Sequence, residues 1–136
     1  MKKEIALQLA DAITSGHYDR GSGRNRTKDN KFCLGGVLIN LFAQAHPELA
    51  VKETNPLSFM GTNHSLPRAV MKWADIERFN MSTRDGKPLG LKKYVGMIRP
   101  TSLQYANDAC GLDRPFLYSW KEIADWLRTG ENHTRI

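Results

Sequence analysis

One segment constrains this chain more than any other. Leu34, Val37, Leu38, Leu41 and Ala45 recur at three-and-four spacing inside the most apolar stretch of the sequence. Residues so spaced share one face of an α-helix, and a helix this apolar belongs at the centre of a core. The spacing predicts a helix capped by Asp29 or Asn30 and ended by His46 and Pro47, since proline cannot continue the helical hydrogen bonding. The chain has 136 residues, the length of one domain, and at that size folding buries roughly two thirds of the unfolded surface, so neither a disulfide nor a metal is required.

The remaining elements are read around that helix. Ile5, Leu9, Ala12 and Ile13 give residues 2–15 an apolar helical face, with Gly16 as the stop. Residues 17–31 are polar, contain Gly21-Ser22-Gly23 and show no periodicity, so a flexible basic surface loop is expected. Ser65 is expected to cap a third helix with Pro67 in its first turn and Val70, Trp73 and Ala74 on its buried side. Around Asp85-Gly86 the pattern breaks into short apolar pieces, which predicts a β-hairpin or irregular ribbon over 78–99. Thr101 or Ser102 opens a short helix through Leu103 and Ala106. Ser119-Trp120-Lys121-Glu122 is a capping box ahead of Ile123, Trp126 and Leu127, with Gly130 at the end and a frayed tail over 130–136. The expected fold is a single α-rich α+β domain over 1–136, with four to five helices and a short β-ribbon.

Charge is unevenly distributed. Twenty Lys and Arg against 14 Asp and Glu leave +6, and the excess lies in two loop-like stretches. Residues 17–31 set five cations against Asp19 and Asp29, and 84–100 set five against Asp85. Such segregation favours a polyanionic partner or an acidic protein surface. The first stretch runs into the start of the central helix, where unpaired N–H groups and the helix dipole attract anions. Arg24, Arg26, Lys28 and Lys31 would supply charge there, and Cys33 to Gly36 the backbone donors. Gly35 and Gly36 would let a ligand or another backbone come close. Lys92, Lys93 and Arg99 would form a second wall, from the same chain or another subunit. The P-loop pattern is absent. The bland alternative is that the loops are merely solvated and the glycines serve tight packing. Tyr18, Phe32, Tyr94 and Tyr105 could stack on bases or belong to the core.

Cys33 carries a second possibility. A thiolate in the first turn of a helix is stabilised by the dipole, and Lys31 adds positive charge nearby. Cys33, His64 and Asn107 or Asp108 stand in the order nucleophile, base and orienting residue of a papain-like cysteine hydrolase. Asn107 and Asp108 could equally hydrogen-bond a ribose or hold a loop. His17, His46, His64 and His133 lack ligand partners at metal-binding spacing, so no metal and no cofactor is implied. Cys33 and Cys110 form no CxxC pair, which fits a reducing compartment. Glu4, Gln8 and Asp11 interrupt the apolar run of a signal sequence, and no stretch has the length of a membrane span. A cytoplasmic protein without a membrane partner is expected.

Several short motifs follow one another along nearly the whole chain: Ser15-Gly16-His17-Tyr18, Phe32-Cys33-Leu34-Gly35-Gly36-Val37-Leu38, Leu66-Pro67 to Val70 and Trp73-Ala74, Ser102-Leu103 to Asn107-Asp108, and Glu122-Ile123-Ala124-Asp125. In this order they resemble a family of small bacteriophage proteins. The chain departs from that pattern at Leu34, where such proteins often have a second cysteine, and at Gly35, where they have leucine. The resemblance implies a phage origin, an infected bacterial cell as the setting and a compact helical fold, but brings no activity with it. Small phage accessory proteins commonly disable host factors. The expected function is therefore non-enzymatic binding of a phosphate-bearing ligand, a signalling nucleotide or nucleic acid, that counters host defence, with homo-oligomerisation able to enclose a small ligand. The rivals are an inhibitor that grips a host defence protein through the same basic surface, and the Cys33 hydrolase.

Overall fold

The computed structural model describes residues 1–49, 61–62, 65–76, 107 and 118–128. Among these, four α-helices surround one core, and two very short parallel strands lie beside it. Helix α1 spans Lys3–Thr14 and buries Ile5, Ala6, Leu9, Ala10 and Ile13. It ends as the sequence predicts: Gly16 takes a φ of 82°, a left-handed conformation that glycine reaches without the Cβ clash other residues meet.

Helix α2 spans Leu34–Ala45 and forms the centre of the core. Leu34, Val37, Leu38 and Ile39 are all inaccessible, with Phe42 beside them. At roughly 1.5–3 kcal/mol for each large side chain removed from water, this helix is a leading contributor to stability. Phe42 meets Trp73 edge-on, with ring centroids 5.5 Å apart, and so ties α2 to α3, which spans Arg68–Ala74. Helix α4 spans Trp120–Arg128 and lies along α1. Its predicted capping box is present: the Glu122 N–H donates to Ser119 Oγ at 3.1 Å, and the Ser119 N–H donates to Glu122 Oε1 at 3.3 Å. Arg128 reaches across to Asp11 of α1 at 3.1 Å.

Three local expectations are corrected. The cap of α2 is Cys33, not Asp29 or Asn30; Asn30 instead occupies a left-handed position with φ 62°, closing a turn in which its N–H donates to the Thr27 carbonyl at 3.0 Å. The residue at the N-cap of α3 is Pro67 rather than Ser65, so Pro67 precedes the first turn instead of lying in it; its carbonyl accepts the helix's first N–H, from Met71, at 3.1 Å. Residues 17–31 are more than a loop: β1 (Asp19–Arg20) pairs in parallel with β2 (Lys31–Phe32), and Arg26 bridges Phe32 in antiparallel fashion. The ribbon expected over 78–99, the helix expected from Thr101 and the tail over 130–136 lie outside the described residues, apart from Asn107, which is helical.

Candidate functional site

The start of α2, expected to be an anion site, is closed by the chain itself. Asn25, in the middle of the basic segment, is 1% exposed. Its carboxamide donates to Thr62 Oγ1 at 3.0 Å and to the Ser65 carbonyl at 2.7 Å, while its backbone carbonyl accepts the Cys33 N–H at 3.3 Å. That carbonyl lies so close to α2 that a Cβ on Gly36 would fall 1.7 Å from it. Gly36 is therefore required, and what approaches it is the protein's own backbone. Gly35 is also buried, beneath the Asn25 side chain. The two glycines thus face this loop, and the room expected for a ligand above them is filled.

Cys33 belongs to the same joint. It is fully buried, its Sγ accepts the Gly36 N–H at 3.4 Å, and its thiol donates to Asn25 Oδ1 at 3.7 Å. One of the free N–H groups at the helix start is thereby satisfied by sulfur. A nucleophilic thiol must meet its substrate, and a substrate could reach this one only by displacing Asn25, so burial argues against the hydrolase. Asn107 is likewise structural. Its Nδ2 donates to the Gly21 carbonyl at 3.0 Å, and its Oδ1 accepts the Trp120 indole N–H at 2.9 Å. Its backbone carbonyl takes a hydrogen bond from Arg20 Nη2 at 2.8 Å. Arg20 also donates to the Tyr118 carbonyl and lies over the Trp120 ring at 5.9 Å. This arginine of the basic segment is spent on architecture.

The other cations stand differently. Lys28 and Lys31 are exposed and Arg24 and Arg26 half-buried, all on backbone fixed by the Asn25 joint and by hydrogen bonds from Thr27 N–H to the Lys31 carbonyl at 2.8 Å and from Lys31 N–H to Thr27 Oγ1 at 3.0 Å. Thr27 also donates to Asp29, which pairs with Lys31 Nζ at 3.5 Å. These hydrogen bonds and the nearby lysine hold the Asp29 carboxyl below its ordinary pKa of 3.8. The result is an ordered basic ledge. Tyr18 and Phe32 pack edge to face at 5.1 Å; Phe32 is in the core and Tyr18 half-buried. His64, Lys92, Tyr94, Arg99 and Asp108, with Lys93, Tyr105 and Cys110, lie outside the described residues.

Beside the ledge is a feature that sequence reasoning missed, a cleft of about 560 Å³ between α1 and α2. Gln8, Asp11 and Ala12 line one wall, Asn40, Leu41 and Gln44 the other, and Tyr18 and Phe32 also border it. In sequence these residues are simply the positions between the buried ones, and only the placing of α1 beside α2 brings them around one concavity. No sequence signal marks Asn25 either, although Gly35-Gly36 announces that something must come close.

Fold and site together define a small helix-rich α+β domain with a basic ledge beside a polar cleft. The chain belongs to the family described as Domain of unknown function (DUF8296), whose model matches residues 1–131. No curated protein and no solved structure matches it. No helix among the described residues is long and apolar enough to cross a membrane.

Proposed function

We propose that this protein binds a phosphate-bearing ligand, a signalling nucleotide or nucleic acid, without converting it, and that it is a phage accessory protein countering a host defence system. The observation that supports binding is the ledge. Cations at Arg24, Arg26, Lys28 and Lys31 sit on a backbone already ordered by a buried joint, so less conformational freedom is lost when an anion docks. The phage setting rests on the motif resemblance alone. The absence of catalysis accords with the burial of Cys33.

The test is a thermal-shift series with linear and cyclic nucleotides and short DNA and RNA at low and moderate salt. A ligand at about a hundred times its Kd adds roughly 2.7 kcal/mol of apparent stability, on the order of a 10 °C rise for a domain of this size. Nucleic acid would reveal itself by a steep loss of affinity with salt, the slope following the number of phosphates neutralised. No shift with any of these compounds overturns the reading and leaves the basic surface to a host protein, the rival that uses the same cations.

A further inference from the structure

The cleft between α1 and α2 is lined by none of the ledge's cations, and its own lining specifies a different kind of ligand. Although the chain carries +6 with histidine neutral, no lysine or arginine borders the cleft. Its carboxylate, Asp11, is paired with Arg128 at 3.1 Å. An anion leaving water would find no opposite charge there, and a cation only a carboxylate already neutralised. The occupant suited to the cleft is neutral. The volume of about 560 Å³ lies within the roughly 300–1,000 Å³ usual for small-molecule sites.

Burial orders the lining. The apolar members, Ala12, Leu41, Phe32 and the ring of Tyr18, are buried or half-buried, whereas Gln8, His17, Asn30 and Gln44 are exposed. The cleft therefore has an apolar bottom and a polar rim. The rim groups come from more than one side, Gln8 from α1, Gln44 from α2, and His17 and Asn30 from the segment between the helices. None of these four side chains has a hydrogen-bond partner among the described residues. Ser15 is engaged by contrast, its Oγ donating to the Ala12 carbonyl at 2.7 Å and accepting the His17 N–H at 3.2 Å. Asn40 donates to the Tyr18 hydroxyl, which leaves that hydroxyl its own proton to give.

A carboxamide offers a donor and an acceptor side by side, and a neutral imidazole one of each. Neighbouring hydroxyls on a sugar ring present the complementary pair around its whole edge, while the C–H face of the ring is apolar. A flat nucleobase instead needs an open aromatic face to stack on, and here Phe32 is 8% exposed and turns its ring edge to face against Tyr18 at 5.1 Å. We infer that the cleft holds a neutral sugar, its C–H face against Tyr18 and Leu41 and its hydroxyls on Gln8, Asn30 and Gln44. This goes beyond the phosphate-binding reading and does not depend on it.

The test is titration of the isotopically labelled full chain with neutral hexoses, pentoses, N-acetylhexosamines and their disaccharides, with uncharged nucleosides for comparison, read by nuclear magnetic resonance of backbone and side-chain amides. The expected result is saturable shifts at the side-chain amides of Gln8, Asn30 and Gln44 with at least one sugar, unchanged by added salt because no ion pair forms. Gln8→Leu with Gln44→Leu, both at exposed positions, should keep the spectrum of the folded chain and weaken that sugar about tenfold or more. Inorganic tripolyphosphate, added separately, should leave the cleft amides unmoved. Failure of every sugar to shift them would overturn the assignment, as would sugar binding indifferent to the double variant. Nucleosides bound more tightly than any sugar would overturn the choice of ligand, and cleft shifts with tripolyphosphate would overturn its neutrality.

Discussion

The two ends of α2 present opposite solutions to the same problem. At its start, polar backbone groups and two glycines could have met a ligand, yet the chain covers them with Asn25 and leaves no room. Toward its end, Asn40 and Gln44 border open space that nothing in the described chain fills. The closed end has fixed partners for its polar atoms and cannot change without loss. At the open end Asn40 donates to the Tyr18 hydroxyl, and Gln44 is exposed. A glycine pair at a helix start is therefore evidence of close approach and not of what approaches. The discriminating fact is whether a neighbouring segment carries a side chain able to satisfy the buried groups.

The largest effect should come from Gly36→Ala. Its Cβ would meet a backbone carbonyl rather than the end of a flexible side chain, so the whole 25–33 segment must move. A loss of about 3 kcal/mol or more is expected, measured as a fall in the urea midpoint. Gly35→Ala should cost less, because a Cβ there meets Asn25 Oδ1 at 3.1 Å, a side-chain approach far milder than 1.7 Å to a backbone carbonyl. Equal effects at the two positions would show that the Asn25 carbonyl is not held where the comparison requires.

Next is Asn107→Ala, which leaves the Gly21 carbonyl and the Trp120 indole N–H without their partner. Leaving a buried polar group unsatisfied costs about 1–3 kcal/mol, so the variant should lose about 2–4 kcal/mol in the same measurement. Asn25→Ala, which strips Thr62 and the Ser65 carbonyl of one donor, should lose about 1–3 kcal/mol and should also loosen the ledge. Amide exchange at residues 27–31 would show the second effect. If exchange there is unchanged, the ledge is ordered by its own turn and the closed end does not support it.

These expectations also show which parts of the molecule were legible in the sequence. The helices α1, α2 and α4 were, because each is written in short-range signals: a periodic apolar face, a glycine stop, a reciprocal Ser119–Glu122 cap. The class of fold followed from them. The joint at Asn25 was not, since it depends on partners 37 and 40 residues away, and a lone asparagine between two arginines looks like every other loop residue. The parallel pairing of Asp19 with Lys31 and Arg20 with Phe32 escaped for a related reason, because two-residue strands have no alternation to detect. Arg20 shows the limit of reading charge alone: it is one of the five cations of residues 17–31, yet it is committed to the Tyr118 and Asn107 carbonyls, which no count of charges could reveal.

A smaller effect calibrates the others. Ser119→Ala removes an ordinary side-chain cap from α4, far from α2, and should lower stability by about 1 kcal/mol. If Asn25→Ala costs no more than this, the closed end of α2 is held as lightly as a helix terminus on the surface.

The smallest effect concerns the rim between the two regions. Asp29 is exposed, and its pKa lies below 3.8 because Thr27, a backbone N–H and Lys31 stabilise the carboxylate. For an acid depressed on folding, the folded state binds fewer protons than the unfolded one. The contribution is therefore complete above the unfolded value and disappears as pH falls through the folded one. Global stability should register little of this, since the group is in water and its pairing with Lys31 is screened. The local consequence should be visible instead. Protonation of Asp29 weakens the acceptor that Thr27 Oγ1–H and Lys31 Nζ share, so the side chains of the 27–31 turn should become more mobile only as the pH falls below 3.8, through the lowered folded value. Nuclear magnetic resonance relaxation of the Thr27 methyl group would detect the change, and Asp29→Asn should abolish its dependence on pH.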